Sequence, residues 1–198
     1  MLMENLSTVP DKTKPPRQRI LETAHRLFYQ NGIRATGIDR IIAESSVTKT
    51  TFYRQFKSKN NLIIAYLEYR HQLFLEDFSA NLQANGGDIG AISKTIEQWF
   101  RSEGFRGCAF LNSVGELGET LPEVNGITQQ HKLDLAKMIE GVLAEVPGSE
   151  QKARAIVTAI DGATVRAQYE RESEPAVALL KVIIHALLED GACLESPA

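Results

Sequence analysis

Residues Ile38 to Lys59 read IDRIIAESSVTKTTFYRQFKSK, isoleucines mixed with charge followed by a polar, basic run that holds two phenylalanines and a tyrosine. On a helix, at about 100° per residue, Phe52 and Phe56 lie one turn apart and face inward. Thr50, Tyr53 and Arg54 then share the opposite face, within about 100° of one another, with Lys49 and Thr51 on its flanks. Thr48 stands where a helix cap is needed, and Ser46 and Val47 form a tight turn back to a helix of about two turns around Ile41 and Ile42.

Working outward, Thr36 and Asp39 stand three apart ahead of Ile41, a spacing that predicts a capping box for that short helix. Before it, Ile20, Ala24, Leu27 and Phe28 follow i, i+4, i+7, i+8 and predict a first amphipathic helix that stops near Asn31 and Gly32. After it, Ser58 can cap a long fourth helix carrying Leu62, Tyr66, Tyr69 and Leu73. A bracing helix, a turn and a second helix with a donor-rich outer face are what a helix-turn-helix needs to enter a groove about 12 Å wide. Hydroxyls and amines suit phosphate oxygens, and Lys49 and Arg54 can also donate to guanine edges. The competing reading is a solvated surface, the common fate of such faces on short helices.

Charge favours the first reading. The 198-residue chain has a net charge of -3, but residues 1–60 hold 11 Lys/Arg against 5 Asp/Glu and residues 61–198 hold 11 against 20. A basic module on an acidic body implies a polyanion partner for the first third alone. No apolar run approaches a membrane span and the start MLMENLSTVPDKTK lacks a signal-peptide core, so a cytoplasmic location is expected. Cys108 and Cys193 stand 85 positions apart, too few and too distant for a metal cluster or a disulfide framework.

The remaining chain reads as helices separated by breaks at Gly86 and Gly87, Gly104, Pro122, and Pro147 and Gly148. The expected fold is all-α with about nine helices. It comprises a flexible arm at 1–16, a helix-turn-helix DNA-binding domain at 17–60, and a larger helical domain at 61–198. In the arm, Lys12, Lys14 and Arg17 could follow a groove or remain silent.

With those residues in place, RQRILETAHRLFYQNGIRATGIDRIIAESSVTKTTFYRQFKSKNNLI, Arg17 to Ile63, resembles the N-terminal domain of the TetR/AcrR transcriptional regulators. Ile20, Ala24, Phe28, Gly32, Ile41, Val47, the Thr51-Phe52-Tyr53 triplet, Phe56 and the Ser58-Lys59 pair carry the resemblance. It covers about a quarter of the chain. It implies a helical homodimer whose two recognition helices read a pseudo-palindromic double-stranded DNA operator and whose larger domain binds a small effector. By position it implies that Thr36 bonds a phosphate, that Lys49, Thr50, Tyr53 and Arg54 lie in or beside the major groove, and that Thr51, Tyr53 and Lys59 clamp the backbone. Two departures stand out: Ser46 where the family has a turn glycine, and Asn60 and Asn61 where an acidic residue follows the serine-lysine pair.

For the acidic domain, RGCAFLNS, Arg106 to Ser113, is similar to a segment near the effector pocket of some family members. Polar and aromatic groups on otherwise apolar faces single out Trp99, Phe100, Phe110, Asn112, Glu116, Met138 and Tyr169 as candidate effector contacts, with plain core as the alternative. The family's usual interface, a four-helix bundle from the last two helices of each subunit, would use Ile160, Ala163, Ala167, Ile184 and Leu187; closing the monomer's own core is the alternative. The four histidines are dispersed, no catalytic motif is present and no cofactor is expected. Cys108, beside Arg106, is the single nucleophile candidate with any context. The expected function is a ligand-responsive repressor released by an apolar or aromatic molecule; the alternative is a helical ligand-binding protein or enzyme whose basic third does not read DNA.

Overall fold

Pro16 opens the first helix, where its missing N–H costs nothing, and α1 runs Pro16–Asn31. It is followed by α2 (Ile38–Glu44), α3 (Lys49–Gln55), α4 (Lys59–Ala84) and α5 (Ile89–Phe100). The rest comprises α6 (Ala109–Leu117), α7 (Glu123–Val142), α8 (Ser149–Glu170) and α9 (Glu174–Glu189). The computed structural model describes residues 11–170 and 172–189. Among these residues the fold is all-α with nine helices, and no helix is long and apolar enough to cross a membrane. Most of the proposed N-terminal arm, residues 1–10, and Cys193 lie outside the described residues.

The chain packs as two compact units. One contains Phe74–Cys108 and the described residues from Gln129 onward; the other contains the described residues up to Leu73 together with Ala109–Thr128. This differs from a division at residue 60, because α6 and the start of α7 cluster with α1, α2 and α3, a return of the chain that leaves no local trace.

In the N-terminal unit, α1, α2 and α3 pack on one another around Ile20, Leu27, Ile41, Phe52 and Phe56, all buried. Arg26 of α1, itself buried, pairs with Glu44 of α2, which also takes Arg40. His25 of α1 lies between Tyr66 and Tyr69 of α4, with its Nε2 at 3.1 Å from Nη1 of Arg70. Burial, and then the Arg70 charge, push the His25 pKa from 6.5 down to about 3. The unfolded chain therefore takes up a proton first as pH falls, so His25 contributes its full stability above about pH 6.5 and loses it progressively between 6.5 and 3. Unfolding free energy is expected to be about 2 kcal/mol lower at pH 5 than at pH 7 from this residue. Urea titrations of the wild type and His25→Gln test this; identical pH slopes would assign the loss to carboxylates instead.

In the C-terminal unit α8 packs along α9 and both cover α5. Phe74, Trp99, Phe100 and Phe105 form an aromatic cluster in which Trp99 meets Phe74 edge-on at 5.4 Å and Phe105 at 5.5 Å between ring centroids. Edge-to-face contacts of this kind are worth roughly 0.5–1.5 kcal/mol beyond burial. The Ile160, Ala163, Ala167 and Ile184 side chains, expected at a subunit interface, are buried within the single chain, and Leu187 is half-buried. The four buried positions turn inward on α8 and α9 and close the monomer's own core. The outward stripe is a different one: Val165 and Tyr169 on α8 and Leu179, Val182 and Ile183 on α9 are exposed, Tyr169 by 66% and Val182 by 63%.

Candidate nucleic-acid interface

The turn between α2 and α3 is made by Ser46, which adopts a φ of 54°, a left-handed conformation that costs a non-glycine residue of order 1–2 kcal/mol. It is bound at several points. Ser46 N donates to Ala43 O at 3.2 Å and Val47 N to Ile42 O at 3.3 Å, the paired bonds of a Schellman end. Arg19 reaches over from α1 and donates to the carbonyls of Ser45 and Ser46 at 3.3 and 3.1 Å. Those bonds explain how serine replaces the family glycine without loss of the turn.

Thr48 then caps α3 by accepting from Thr51 N at 3.1 Å. Phe52 and Phe56 are buried with ring centroids 6.3 Å apart. This anchoring turns Lys49, Thr50, Tyr53 and Arg54 to the exterior, Tyr53 by 42%, with Thr51 half-buried at the edge. Lys49 Nζ stands 3.8 Å from the exposed Asp39 carboxylate, too loose and too wet to hold it back from another anion. A short helix fixed by one aromatic edge and presenting amines, a guanidinium and hydroxyls on the other can donate to phosphates and base edges.

Two residues expected to clamp phosphate are placed otherwise. Thr36 is fully buried and its hydroxyl donates to Gly32 O at 2.7 Å, so it closes the carbonyl end of α1 and takes no part in capping α2, whose N-cap is Gly37 without a side-chain bond. Lys59 is half-buried and its ammonium donates to Ile33 O at 2.6 Å; burial, against the pull of Glu116, lowers its pKa from the ordinary lysine value. At the start of α4, Ser58 caps the helix by accepting from Asn61 N at 3.1 Å, and its hydroxyl donates to Asn61 Oδ1 at 3.0 Å, which orients the cap without an acidic residue. Lys14 of the arm pairs with Glu22, and Arg17, in the first turn of α1, lies over the Phe56 ring.

The candidate effector residues fall in both compact units: Trp99, Phe100, Met138 and Tyr169 in one, Phe110, Asn112 and Glu116 in the other. Tyr169 is on the outward stripe of α8, and the Glu116 carboxylate is already occupied, accepting from the backbone amides of Ile33 at 3.1 Å and Arg34 at 2.7 Å. Trp99 and Phe100 pack at 5.5 Å between centroids, and Trp99 Nε1 is buried with no hydrogen-bond acceptor among the described residues. Phe100 and Phe105 of the same cluster line an open groove of about 710 Å³ with Arg101, Arg106, Gln168 and Glu174. Cys108 is buried and meets Lys132 at 3.6 Å rather than Arg106, and Lys132 also pairs with Asp161. Burial works against the Lys132 charge, but Cys108 and Asp161 outweigh it and hold its pKa above the ordinary lysine value.

A tight turn bound at both ends, a seven-residue helix with an aromatic underside and a basic upper face define a helix-turn-helix DNA-binding protein. Residues 20–66 match the family described as bacterial regulatory proteins, tetR family. Over 75 residues the chain is 36% identical to the Transposon Tn10 TetC protein of Escherichia coli, a match covering 38% of this chain and 37% of that protein. It is 42% identical over 53 residues to the HTH-type regulator YerO of Bacillus subtilis, covering 27% of this chain and 18% of that one. The chain thus matches less than half the length of these curated relatives. Across nearly its full length it is similar to the crystal structure of a TetR-family transcriptional regulator from Streptomyces coelicolor, with 33% identity, a TM-score of 0.77, and coverage of 88% of this chain and 95% of that one. The protein belongs to the TetR family of DNA-binding transcriptional regulators.

Proposed function

We propose that the protein is a repressor that binds a two-fold symmetric operator as a homodimer and releases it when a small apolar or aromatic effector binds the C-terminal helices. The outward face of α3 carries the reading: Lys49, Thr50, Tyr53 and Arg54 present donors from a backbone fixed by Phe52 and Phe56. Base readout is assigned to Lys49, Thr50 and Arg54, with Thr51 and Tyr53 on phosphates. Dimerisation uses the exposed stripe of Val165, Tyr169, Leu179, Val182 and Ile183, whose occupant is the same stripe of a second copy. Gly162 lies beside it on α8 with open space at the position of a Cβ, which allows a close approach of helices. Support for an effector site comes from the aromatic cluster around Trp99 and the groove beside Phe100 and Phe105. The effector acts through its differential affinity for conformers in which the two α3 helices match, or fail to match, successive major grooves.

Selection of the purified protein against random duplex DNA at two salt concentrations tests this reading. An enriched inverted repeat with affinity falling steeply as salt rises is expected; no enrichment and no salt dependence would sink it. On the selected site, Arg54→Ala is expected to cost about 1–3 kcal/mol and to relax preference at one base position. Equal weakening on every sequence would move Arg54 to a phosphate.

A further inference from the structure

The loop between α1 and α2 is gripped from two sides at one residue. Ile33 is buried; its backbone N–H goes to a Glu116 carboxylate oxygen at 3.1 Å and its C=O takes the Lys59 ammonium at 2.6 Å. The neighbouring Arg34 N–H goes to the other Glu116 oxygen at 2.7 Å. A carboxylate on two successive amides and an ammonium on the intervening carbonyl are charge-assisted bonds, stronger than neutral ones. Gly32, at φ 87°, brings its Cα within reach of Glu116, and a Cβ there would stand 3.3 Å from the carboxylate. Thr36, by bonding Gly32 O, ties the same loop to the entry of α2.

We propose that Glu116 and Lys59 are a positioning pair for operator reading: from the last turn of α6 and the first turn of α4 they hold the Ile33 peptide, and through it the α2–α3 pair, in the register that matches a major groove. The proposal rests on the reading of the protein as an operator binder. On this proposal Glu116 affects operator affinity without touching DNA. The preceding residues are held separately in the C-terminal unit, where Gln168 donates to Arg106 O at 2.8 Å and Lys132 meets Cys108.

The test uses the full-length protein and its Glu116→Ala, Glu116→Gln and Lys59→Met variants, with two readouts. Amide exchange of Ile33 and Arg34 is expected to quicken about tenfold or more in Glu116→Ala, and by less in Glu116→Gln, which keeps one acceptor oxygen. Affinity for the selected operator is expected to fall about tenfold in Glu116→Ala, with binding to a scrambled duplex within about twofold, since salt-driven phosphate contacts do not need the register. Lys59→Met is expected to lower the same operator-to-scrambled ratio, whereas a phosphate contact would weaken both duplexes alike. An unchanged ratio in Glu116→Ala, or unchanged exchange, overturns the proposal. Should Glu116→Ala not fold, Glu116→Gln decides by the same criteria. The exchange arm needs no DNA, so a failed clamp is distinguished from a failed operator reading.

Discussion

A Val182→Glu, Ile183→Glu double variant is expected to run as a monomer at micromolar concentration and to lose roughly 10²–10⁴ in operator affinity, because two half-sites no longer act through one linked reader. Both side chains are exposed in the single chain, Val182 by 63%, on an α9 face continuous with Leu179, while the buried face of the same helix carries Val177, Leu180 and Ile184. Two carboxylates on that outward face cost the isolated subunit little, but in a dimer they would be desolvated against apolar partners and their own symmetry copies. The monomer should therefore keep its helix content while the dimer is lost. Sedimentation and operator titration read the two effects together, and Leu133→Glu, at an exposed leucine on α7, serves as the control for a charge placed elsewhere. A double variant that stays dimeric would place the interface on another surface.

The second large effect is expected inside the reading unit. Phe52 is fully buried beneath α3, against Phe56 and edge-on to Tyr53 at 5.3 Å. Truncating a buried phenylalanine costs about 3–5 kcal/mol, and a seven-residue helix has too little intrinsic stability to hold its shape without packing. Phe52→Ala should abolish operator binding while leaving the proposed α8–α9 dimer intact, whereas Tyr53→Ala, one residue on but outward, should lose contacts without unfolding the unit. Wild-type operator affinity in Phe52→Ala would mean that α3 is braced by something other than its aromatic edge.

Much of this fold is legible in the sequence because it is written locally. The 3.6-residue spacing of Ile20, Ala24, Leu27 and Phe28, the Thr48 cap and the Phe52–Phe56 edge lie within a turn or two of what they control. From them the outward set of Lys49, Thr50, Tyr53 and Arg54 follows by geometry. Thr36 is different: a threonine between two helices can bond forward to the amides of the next or backward to the carbonyls of the last, and local spacing does not choose between them. The outward stripe is not legible because α9 is apolar on several sides, EPAVALLKVIIHALLE, so two faces satisfy the same period. Glu116 and Ile33 are 83 positions apart, and no pattern short of the folded chain joins them.

That separation affects the order in which the protein is made. Residues up to Leu73 contain the helix-turn-helix of α2 and α3, yet their compact unit is completed only by Ala109–Thr128. At ribosomal rates of about 5–20 residues per second, the nascent helix-turn-helix waits roughly 3 to 11 s for its remaining segment. During synthesis the helix-turn-helix is therefore present before Glu116, the carboxylate that bonds its Ile33 loop.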